Sequence, residues 1–434
     1  MLNLPFTYLT IVVFCVYIIG LELFIPFDAI TYADEILLVL SIFSILVRHN
    51  KSVSRFRKVF ILYFAYCCLL YLISPYSASF TSMLLQSFIN LKVPIIALAI
   101  VENYNAINTI SLRYKVAKMV KITTVFFGVL TVVTIALNII MGESWMYMWN
   151  LPVLYRNDML RIFGFFESGG YLGFFITFML TTLYYIRNKD KFTLRHIMRL
   201  MAIIAILTII ISYRKMLLIF IPVIMVYMHR YKISFAKKIA IYTLPVVIFV
   251  TSTLFLDASY YEQFAKDLSY FTTADSDYIR GLIFYNGLVL AVKMFPFGTG
   301  PATFGTNLSQ YNYKAYAAVD MEKWLPDFRN TDDPVGLFDN YFGAIVAEYG
   351  IIGIIIIVFL LNIVYKHISF RLNKHQKVIF DIVYIYLLLS TLTGPFIASS
   401  GGTMIFSLTL LVILTYEHKA QVFKYQRYII RSRH

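Results

Sequence analysis

Charged residues are scarce in this sequence. Asp, Glu, Lys and Arg make up 14% of its 434 residues and hydrophobic residues 60%, whereas a typical soluble domain has about 25% charged residues. Too few polar side chains are present to cover the surface of a globule of this size. The composition therefore excludes an ordinary soluble protein. It predicts an all-α, polytopic integral membrane protein, with residues 1–434 in a single membrane domain.

Cysteine is rare, and histidine is confined to predicted cytoplasmic segments. The three cysteines lie in apolar runs, where they act as small buried hydrophobes, so a disulfide framework is excluded. They are Cys15, Cys67 and Cys68. The histidines lie in or beside basic connections, which excludes an outward-facing site built on histidine. They are His49, His196, His229, His367, His375, His418 and His434.

Motifs for nucleotides, metals and acyl transfer are also missing. No P-loop, dinucleotide-binding fingerprint, zinc motif or nucleophile elbow occurs in the sequence. Asp275-Ser276-Asp277 could pair two carboxylates on a metal, but acid pairs are frequent in solvated loops. The sequence therefore predicts neither a metal nor an organic cofactor.

Positive charge is abundant, but it is distributed among separate segments of the chain. The formal net charge is +15, and most of the 38 Lys and Arg residues form six clusters between apolar runs. This distribution argues against a nucleic-acid partner and marks the cytoplasmic side of a membrane protein. The clusters are Arg48–Lys58, Arg113–Lys121, Arg187–Arg199, Arg230–Lys238, Lys366–Lys377 and Lys419–Arg433.

Alternation of these clusters with acid-bearing connections predicts about twelve helices, with both termini in the cytoplasm. The predicted spans are Thr7–Ile25, Ala29–Val47, Val59–Ile73, Asn90–Ala106, Val120–Met141, Phe165–Ile186, Met198–Ser212, Met216–Met228, Ile239–Leu256, Phe338–Val364, Val378–Ile397 and Met404–Tyr416. The same alternation places residues 142–162 and the longer segment 257–337 on the extracytoplasmic side.

The large loop, 257–337, contains the most informative pattern. Arg280 begins an apolar stretch that ends at Pro296 and is too short to span a bilayer, which predicts an interfacial or re-entrant helix over about 281–295. An arginine at headgroup level can bind phosphate with its two-pronged guanidinium; pairing with Asp275 or Asp277 is the structural alternative. Gly298 and Gly300 predict a tight turn whose amides could approach an anion, although such turns are also common connectors.

Other outward cations stand beside predicted helix ends. Arg214 and Lys215 form a short connection between two apolar helices, either as a pair that snorkels to the interface or as an anion site. Arg161 precedes Gly169 and Gly170, which allow close approach by a neighbouring helix or by a substrate. Acidic and aromatic residues in the loop, from Tyr311 to Asp333, could bind sugar rings or could form an ordinary folded lid.

The order of these features resembles the O-antigen ligase and polymerase superfamily, and its Wzy-type polysaccharide polymerases in particular. Members resemble this pattern in having an Arg before an apolar helix, a Pro and Gly-x-Gly turn, a His-Asn-x-Tyr type motif and a Glu-x-Gly-x-x-Gly helix. The corresponding residues are Arg280, Pro296, Gly298, Gly300, Asp339-Asn340-Tyr341-Phe342, Glu348, Gly350 and Gly353. Asp339 stands where ligases carry histidine, which favours the polymerase branch.

The resemblance implies a metal-independent glycosyltransferase in the bacterial cytoplasmic membrane. Its substrate would be an undecaprenyl-diphosphate-linked oligosaccharide; membrane lipids would surround it, and a polysaccharide chain-length regulator is the implied protein partner. Fixed cations would stabilise the leaving diphosphate and a carboxylate would accept the acceptor proton. The expected catalytic residues are Asp339, Arg280, Arg214 and Glu348. The expected substrate-binding residues are Arg161, Lys215, Gly298, Gly300, Asn340 and Tyr341.

Two other functions fit the same helix count. An O-antigen ligase would transfer the lipid-linked glycan to a lipid or protein acceptor. A lipid-linked oligosaccharide flippase would move its substrate across the membrane; such transporters usually have two related halves with charges spread toward a central path. Here the halves do not look alike, and the ionisable residues concentrate at the predicted outer side.

Overall fold

The computed structural model describes residues 3–19, 33–47, 51–148, 153, 155–156, 159–160, 162–166, 168–188, 193–211, 213–230, 279–325, 338, 340–391 and 394–416. Most of these residues are helical, in agreement with the all-α prediction. The described residues also include one antiparallel pair of two-residue strands, in which Tyr155–Arg156 (β1) pairs with Met159–Leu160 (β2).

The α-helices follow in chain order. They are α1 (Asn3–Ile19), α2 (Ala33–Val47), α3 (Lys51–Ile73), α4 (Phe80–Ile89), α5 (Lys92–Asn105), α6 (Ile110–Met141), α7 (Glu143–Met148), α8 (Gly169–Asn188), α9 (Leu194–Ile211), α10 (Phe220–Arg230), α11 (Ile279–Lys293), α12 (Tyr313–Ala317), α13 (Tyr341–Arg371), α14 (Lys374–Thr391) and α15 (Ser400–Thr415). Three 3₁₀ helices complete the set, at Arg214–Ile219, Asn307–Tyr311 and Glu322–Trp324.

Several helices are long and apolar enough to cross a membrane. The described residues contain 5 such spans, or up to 6 if α4 and α5, which are bent by 52° to each other, form one. The five are Val53–Ile73, Ile110–Met141, Gly169–Asn188, Leu194–Ile211 and Tyr341–Arg371. The chain is therefore a multi-pass membrane protein. The count of about twelve spans stays a prediction, and predicted span Ile239–Leu256 lies outside the described residues.

Helix ends depart from the predicted bounds mainly at the basic clusters. The helices predicted to begin at Val59, Val120 and Val378 begin earlier, as α3, α6 and α14, and α13 continues past Val364 to Arg371. Lys and Arg are good helix formers whose side chains can extend out of the hydrocarbon, so a helix continues where the apolar run stops.

Smaller corrections concern other helix ends. The span predicted from Met216 begins as a 3₁₀ turn at Arg214, and the one predicted to reach Ile397 ends at Thr391, before the Gly394-Pro395 turn. The spans predicted from Phe165 and Phe338 begin at Gly169 and Tyr341. The span predicted from Met198 begins at Leu194, and the one predicted from Met404 begins at Ser400. The span predicted from Asn90 begins two residues later, at Lys92. The short loop helix predicted over 281–295 is α11.

Two helices lie at the centre of the bundle. α5 and α15 are buried along nearly their whole length, and the middle of α5, from Val93 to Val101, is apolar on all sides, as expected of a helix surrounded by other helices. α5 packs against α1, α2 and α15, while α15 also contacts α6 and α8. Large apolar side chains on α6, such as Ile122, Val129 and Val132, remain exposed, and in a membrane protein such surfaces face lipid.

A second, smaller core lies beside this bundle. It joins α11 and α13 to residues 304–325, with Leu282, Ile283, Phe304, Tyr316 and Ala347 at its centre. Close contact between α11 and α13 depends on glycine, because a Cβ at Gly287 would overlap the backbone of Gly343. The described part of the large loop is therefore folded onto α11 and α13.

Candidate functional site

The site begins at a break in α13. Gly350 has φ +55° and ψ −166°, which no α-helical residue adopts, so the helical hydrogen bonds around it are lost. The freed carbonyls of Ala347 and Glu348 accept hydrogen bonds from the amides of Thr299 and Gly300, both at 2.8 Å. Tyr66 Oη donates to the carbonyl of Tyr349 at 2.8 Å. A broken helix is tolerated at membrane depth only when its backbone is paired in this way.

Glycine is required on both sides of this contact. Gly298 and Gly300 have φ of +93° and +97°, which favour glycine, and a Cβ at Gly298 would overlap the backbone of Glu348, Tyr349 and Gly350. The predicted tight turn is confirmed. The amides expected to approach an anion are already paired, however: that of Gly298 donates to Met294 and that of Gly300 to Glu348. The turn therefore packs against α13 and does not present its amides to a ligand.

Glu348 is fully buried and anchors the loop. Its Oε1 accepts hydrogen bonds from the amides of Thr303 (2.9 Å) and Phe304 (3.2 Å) and from Thr306 Oγ1 (2.5 Å). A carboxylate in a membrane helix requires a partner. For Glu348 the partners are two backbone amides and a hydroxyl. This position favours a structural role over that of a base acting on an acceptor sugar.

Asn340 and Tyr341 fix the start of α13. Asn340 caps the helix by accepting from the Gly343 amide at 3.1 Å, while its Nδ2 donates to the carbonyl of Arg280 at 2.9 Å. Tyr341 Oη donates to Asn90 Oδ1 at 2.6 Å, at the bend between α4 and α5. These two predicted substrate-binding residues are largely buried, at 7% and 4% exposure, and they position Arg280 and the helix entry.

A polar network extends inward from the same point. Asn90 Nδ2 donates to Tyr349 Oη at 2.7 Å, and Tyr349 Oη lies 2.8 Å from Tyr63 Oη. Gln86 Nε2 donates to Asn90 Oδ1 at 2.8 Å, and Gln86 Oε1 accepts from the Leu308 amide at 3.2 Å. The network joins α3, α4 and α13 to the loop, so it holds the site's backbone in one arrangement.

An apolar groove of about 480 Å³ runs between α13 and α14 from this point. Its lining residues are Asn90, Tyr341, Phe342, Ile345, Ile354, Ile357, Val358, Leu361, Asn362, Tyr365, Tyr384, Ile385, Leu388, Thr391 and Ile397. Phe342 stacks on Phe284 of α11, with ring centroids 6.1 Å apart. Arg280 is exposed and lies one turn before Phe284, so both share one face of α11. Arg280 therefore lies on the side of α11 that packs against Phe342, one of the residues that line the groove.

Lys215 lies beside the connection between α14 and α15. Its Nζ lies 5.9 Å from the ring centroid of Phe396, in the connection between α14 and α15, and the next residue, Ile397, lines the groove. Tyr213 fixes this corner on α8, because a Cβ at Gly173 would overlap its ring. The Tyr213–Lys215 corner therefore packs against the start of α8 at Gly173, three residues after the predicted pair Gly169 and Gly170.

A buried ion cluster beside the site was not predicted. Lys92, at 1% exposure, lies 2.6 Å from Asp34 Oδ2 and 2.7 Å from Glu35 Oε1, and so connects α5 to α2. It is two residues from Asn90. An isolated lysine in an apolar helix requires a partner. This requirement was the signal in the sequence that pointed to a buried ion pair. The partners lie 58 and 57 residues away, and sequence alone does not pair them.

Some predicted site residues are not placed by the structure. Arg161 and Asp339 lie outside the described residues, as does the side chain of Arg214. Among the described residues, no group of three or more His, Cys, Asp or Glu side chains could hold a metal ion. No protein-family model matches the chain, and no curated protein matches it.

Proposed function

We propose that this protein polymerises polyprenyl-diphosphate-linked oligosaccharides on the extracytoplasmic face of the membrane. The observation that carries the proposal is the apolar groove between α13 and α14, with Arg280 on the face of α11 that packs on Phe342 and Lys215 beside Phe396. A long apolar groove with cations near one end suits an isoprenoid that carries a diphosphate. The proposal includes the bacterial cytoplasmic membrane, about twelve spans and cytoplasmic termini.

The donor would lie with its isoprenoid chain along Ile345, Ile357 and Leu361 and its diphosphate toward Arg280. The guanidinium can hold two phosphate oxygens at once, and Lys215 adds a second positive charge. In this proposal Arg161 and Arg214 belong to the same cation set. Diphosphate gains charge as it leaves, so fixed cations stabilise the transition state more than the bound donor.

The reaction is a glycosyl transfer. The bond between the anomeric carbon of the growing glycan and the diphosphate oxygen breaks, and the electron pair leaves with the polyprenyl diphosphate. A new bond forms between that carbon and a hydroxyl oxygen of the incoming repeat unit, whose proton passes to a carboxylate. Asp339 is the proposed acceptor of this proton, because Glu348 is enclosed by Thr303, Phe304 and Thr306.

The test is the surface glycan ladder of cells in which the gene is deleted and then complemented. We expect wild type to restore the ladder and Arg280→Ala to leave mainly single repeat units, with a loss of about 100-fold or more, the size of effect seen when one oxyanion donor is removed. Lys314→Ala is the matched control, since Lys314 is an exposed cation in the same loop. Asp339→Asn should fold and polymerise poorly.

Other outcomes would identify the alternatives. An intact ladder with Arg280→Ala at equal protein level would overturn the role of Arg280. A full ladder with Asp339→Asn would remove Asp339 as the base. If deletion leaves full-length glycan on the lipid carrier without transfer to its final anchor, the protein is a ligase. If repeat units accumulate on the cytoplasmic side, it is a flippase.

A further inference from the structure

A second, larger groove shares no lining residue with the groove of the proposed active site. It has a volume of about 1100 Å³ and is formed by α6, α8 and α15. Its lining residues are Tyr114, Ala117, Lys118, Val120, Lys121, Thr124, Val125, Gly128, Val129, Val132, Val133, Leu183, Ile186, Val412, Thr415 and Tyr416. This volume exceeds the roughly 300–1,000 Å³ of pockets for drug-sized ligands.

Gly128 leaves free space at the bottom of the groove. Nothing lies within 4 Å of the position that a Cβ on this residue would occupy. The residues of α6 that line the groove recur at helical spacing, so they form one stripe along the helix. Gly128 lies in the middle of this stripe, and the absence of its side chain helps to form the depression between Val125 and Val132.

The two ends of the groove differ in chemistry. Lys118 and Lys121 lie at one end, beside Tyr114 and Tyr416, and both lysines are exposed. None of the lining residues, all of which the structure describes, is acidic. The rest of the stripe is almost entirely aliphatic. The groove therefore combines an apolar channel with two cations at one end.

The length of the apolar part matches one leaflet. Twelve residues separate Lys121 from Val133, which at a rise of about 1.5 Å per residue is about 18 Å. The hydrocarbon core of a bilayer is about 30 Å thick, so one leaflet is about 15 Å. In the predicted orientation the lysine end faces the cytoplasm, where anionic lipid headgroups attract Lys and Arg.

We infer that this groove binds an anionic glycerophospholipid of the cytoplasmic leaflet, with its phosphate between Lys118 and Lys121 and an acyl chain over Gly128. A second copy of the chain is the less favoured occupant. A twofold contact through this groove would bring the same lysine-bearing stripe of each copy together, and like charges with no acid in the lining would repel. The bound lipid would fill the seam between α6, α8 and α15.

The test is native mass spectrometry of the purified full chain after incubation with equal amounts of phosphatidylglycerol and phosphatidylcholine with the same acyl chains. Two lysines near an anionic surface should give a roughly 30-fold preference for phosphatidylglycerol, equivalent to about 2 kcal/mol at 1.4 kcal/mol per factor of ten. Lys118→Ala/Lys121→Ala should abolish the preference. Lys115→Ala is the matched control, because Lys115 is exposed on α6 but does not line the groove.

A second pair of variants tests the apolar channel. Gly128→Trp should fill the groove and reduce lipid retention, whereas Ile122→Trp places the same side chain on exposed α6 surface outside the groove and should leave retention unchanged. No preference in wild type, or equal loss in Lys115→Ala, would overturn the inference. So would a dimer that survives lipid exchange and is lost only in Gly128→Trp, since a second copy would then occupy the groove.

Discussion

Replacement of Glu348 distinguishes a structural carboxylate from a catalytic one. Glu348→Ala would leave the amides of Thr303 and Phe304 buried without an acceptor, and each orphaned donor costs about 1–3 kcal/mol. The hydroxyl of Thr306 can rotate to another acceptor, so the expected loss is about 2–6 kcal/mol. That is a large share of the roughly 5–15 kcal/mol by which a typical protein is stable.

Glu348→Gln should behave differently. Glutamine keeps an oxygen at the Oε1 position that can accept all three hydrogen bonds, and it removes the burial of a charge. Its Nε2 would take the place of Oε2, which is buried without a hydrogen-bond partner, so part of this gain is offset by unpaired N–H groups. We therefore expect Glu348→Gln to lose less stability than Glu348→Ala and, under the proposed function, to retain more of the polymer. The melting temperature of the detergent-purified protein reports stability, and the glycan ladder at equal protein level reports activity.

Two results would refute this reasoning. If Glu348→Ala melts at the wild-type temperature, the carboxylate does not anchor residues 303–306. If Glu348→Gln keeps the wild-type melting temperature and makes no polymer, the carboxylate takes part in the chemistry instead. Ser309→Ala is a suitable comparison in the same loop, since its hydroxyl bonds to Thr306 and Tyr316 without contacting Glu348.

Two further changes test the packing around the site. Lys92→Met should lower stability by about 3–5 kcal/mol, because it leaves Asp34 as a buried charge without its partner; the melting temperature measures the loss, and Lys92→Met/Asp34→Asn should recover part of it. Gly298→Ala should sharply reduce the yield of folded protein on fluorescence-detected size exclusion, because its Cβ meets the backbone of α13. In Gly300→Ala the new Cβ meets only Leu70, at 3.7 Å or more. This variant should lose only the stability expected from backbone strain, about 1–3 kcal/mol, and so give more folded protein than Gly298→Ala. Equal yields of the two variants would contradict the close backbone contact at Gly298.

The features that could be predicted from the sequence are those that depend on local residue patterns. Apolar runs located the cores of most described helices, and the short run after Arg280 predicted α11. α4 was missed because Phe80–Ile89 mixes apolar residues with Thr, Ser and Gln. A local signal was present: Ser79 caps this helix by accepting from the Ser82 amide at 3.1 Å, and serine is a preferred N-cap residue.

Other features of the site depend on contacts between distant segments. Gly298, Gly300 and Gly350 were each recognisable as unusual residues, but only the fold shows that the turn fills the break in α13. Glu348 was recognisable from sequence as an acid in an apolar helix, but two of its partners are backbone amides, which carry no sequence signature. Backbone donors and acceptors are common to nearly all residues, so such pairings cannot be found from residue identities.

The anchoring of the loop limits how its sequence could change. Glu348 holds residues 303–306 through backbone amides and one hydroxyl. The segment that follows, from Asn307 to Leu325, packs Tyr316, Met321 and Leu325 into the second core, and its Leu308 amide donates to Gln86 Oε1. A replacement segment would have to keep these buried side chains and this hydrogen bond, so sequence variation is tolerated best at exposed positions such as Tyr311 and Tyr313.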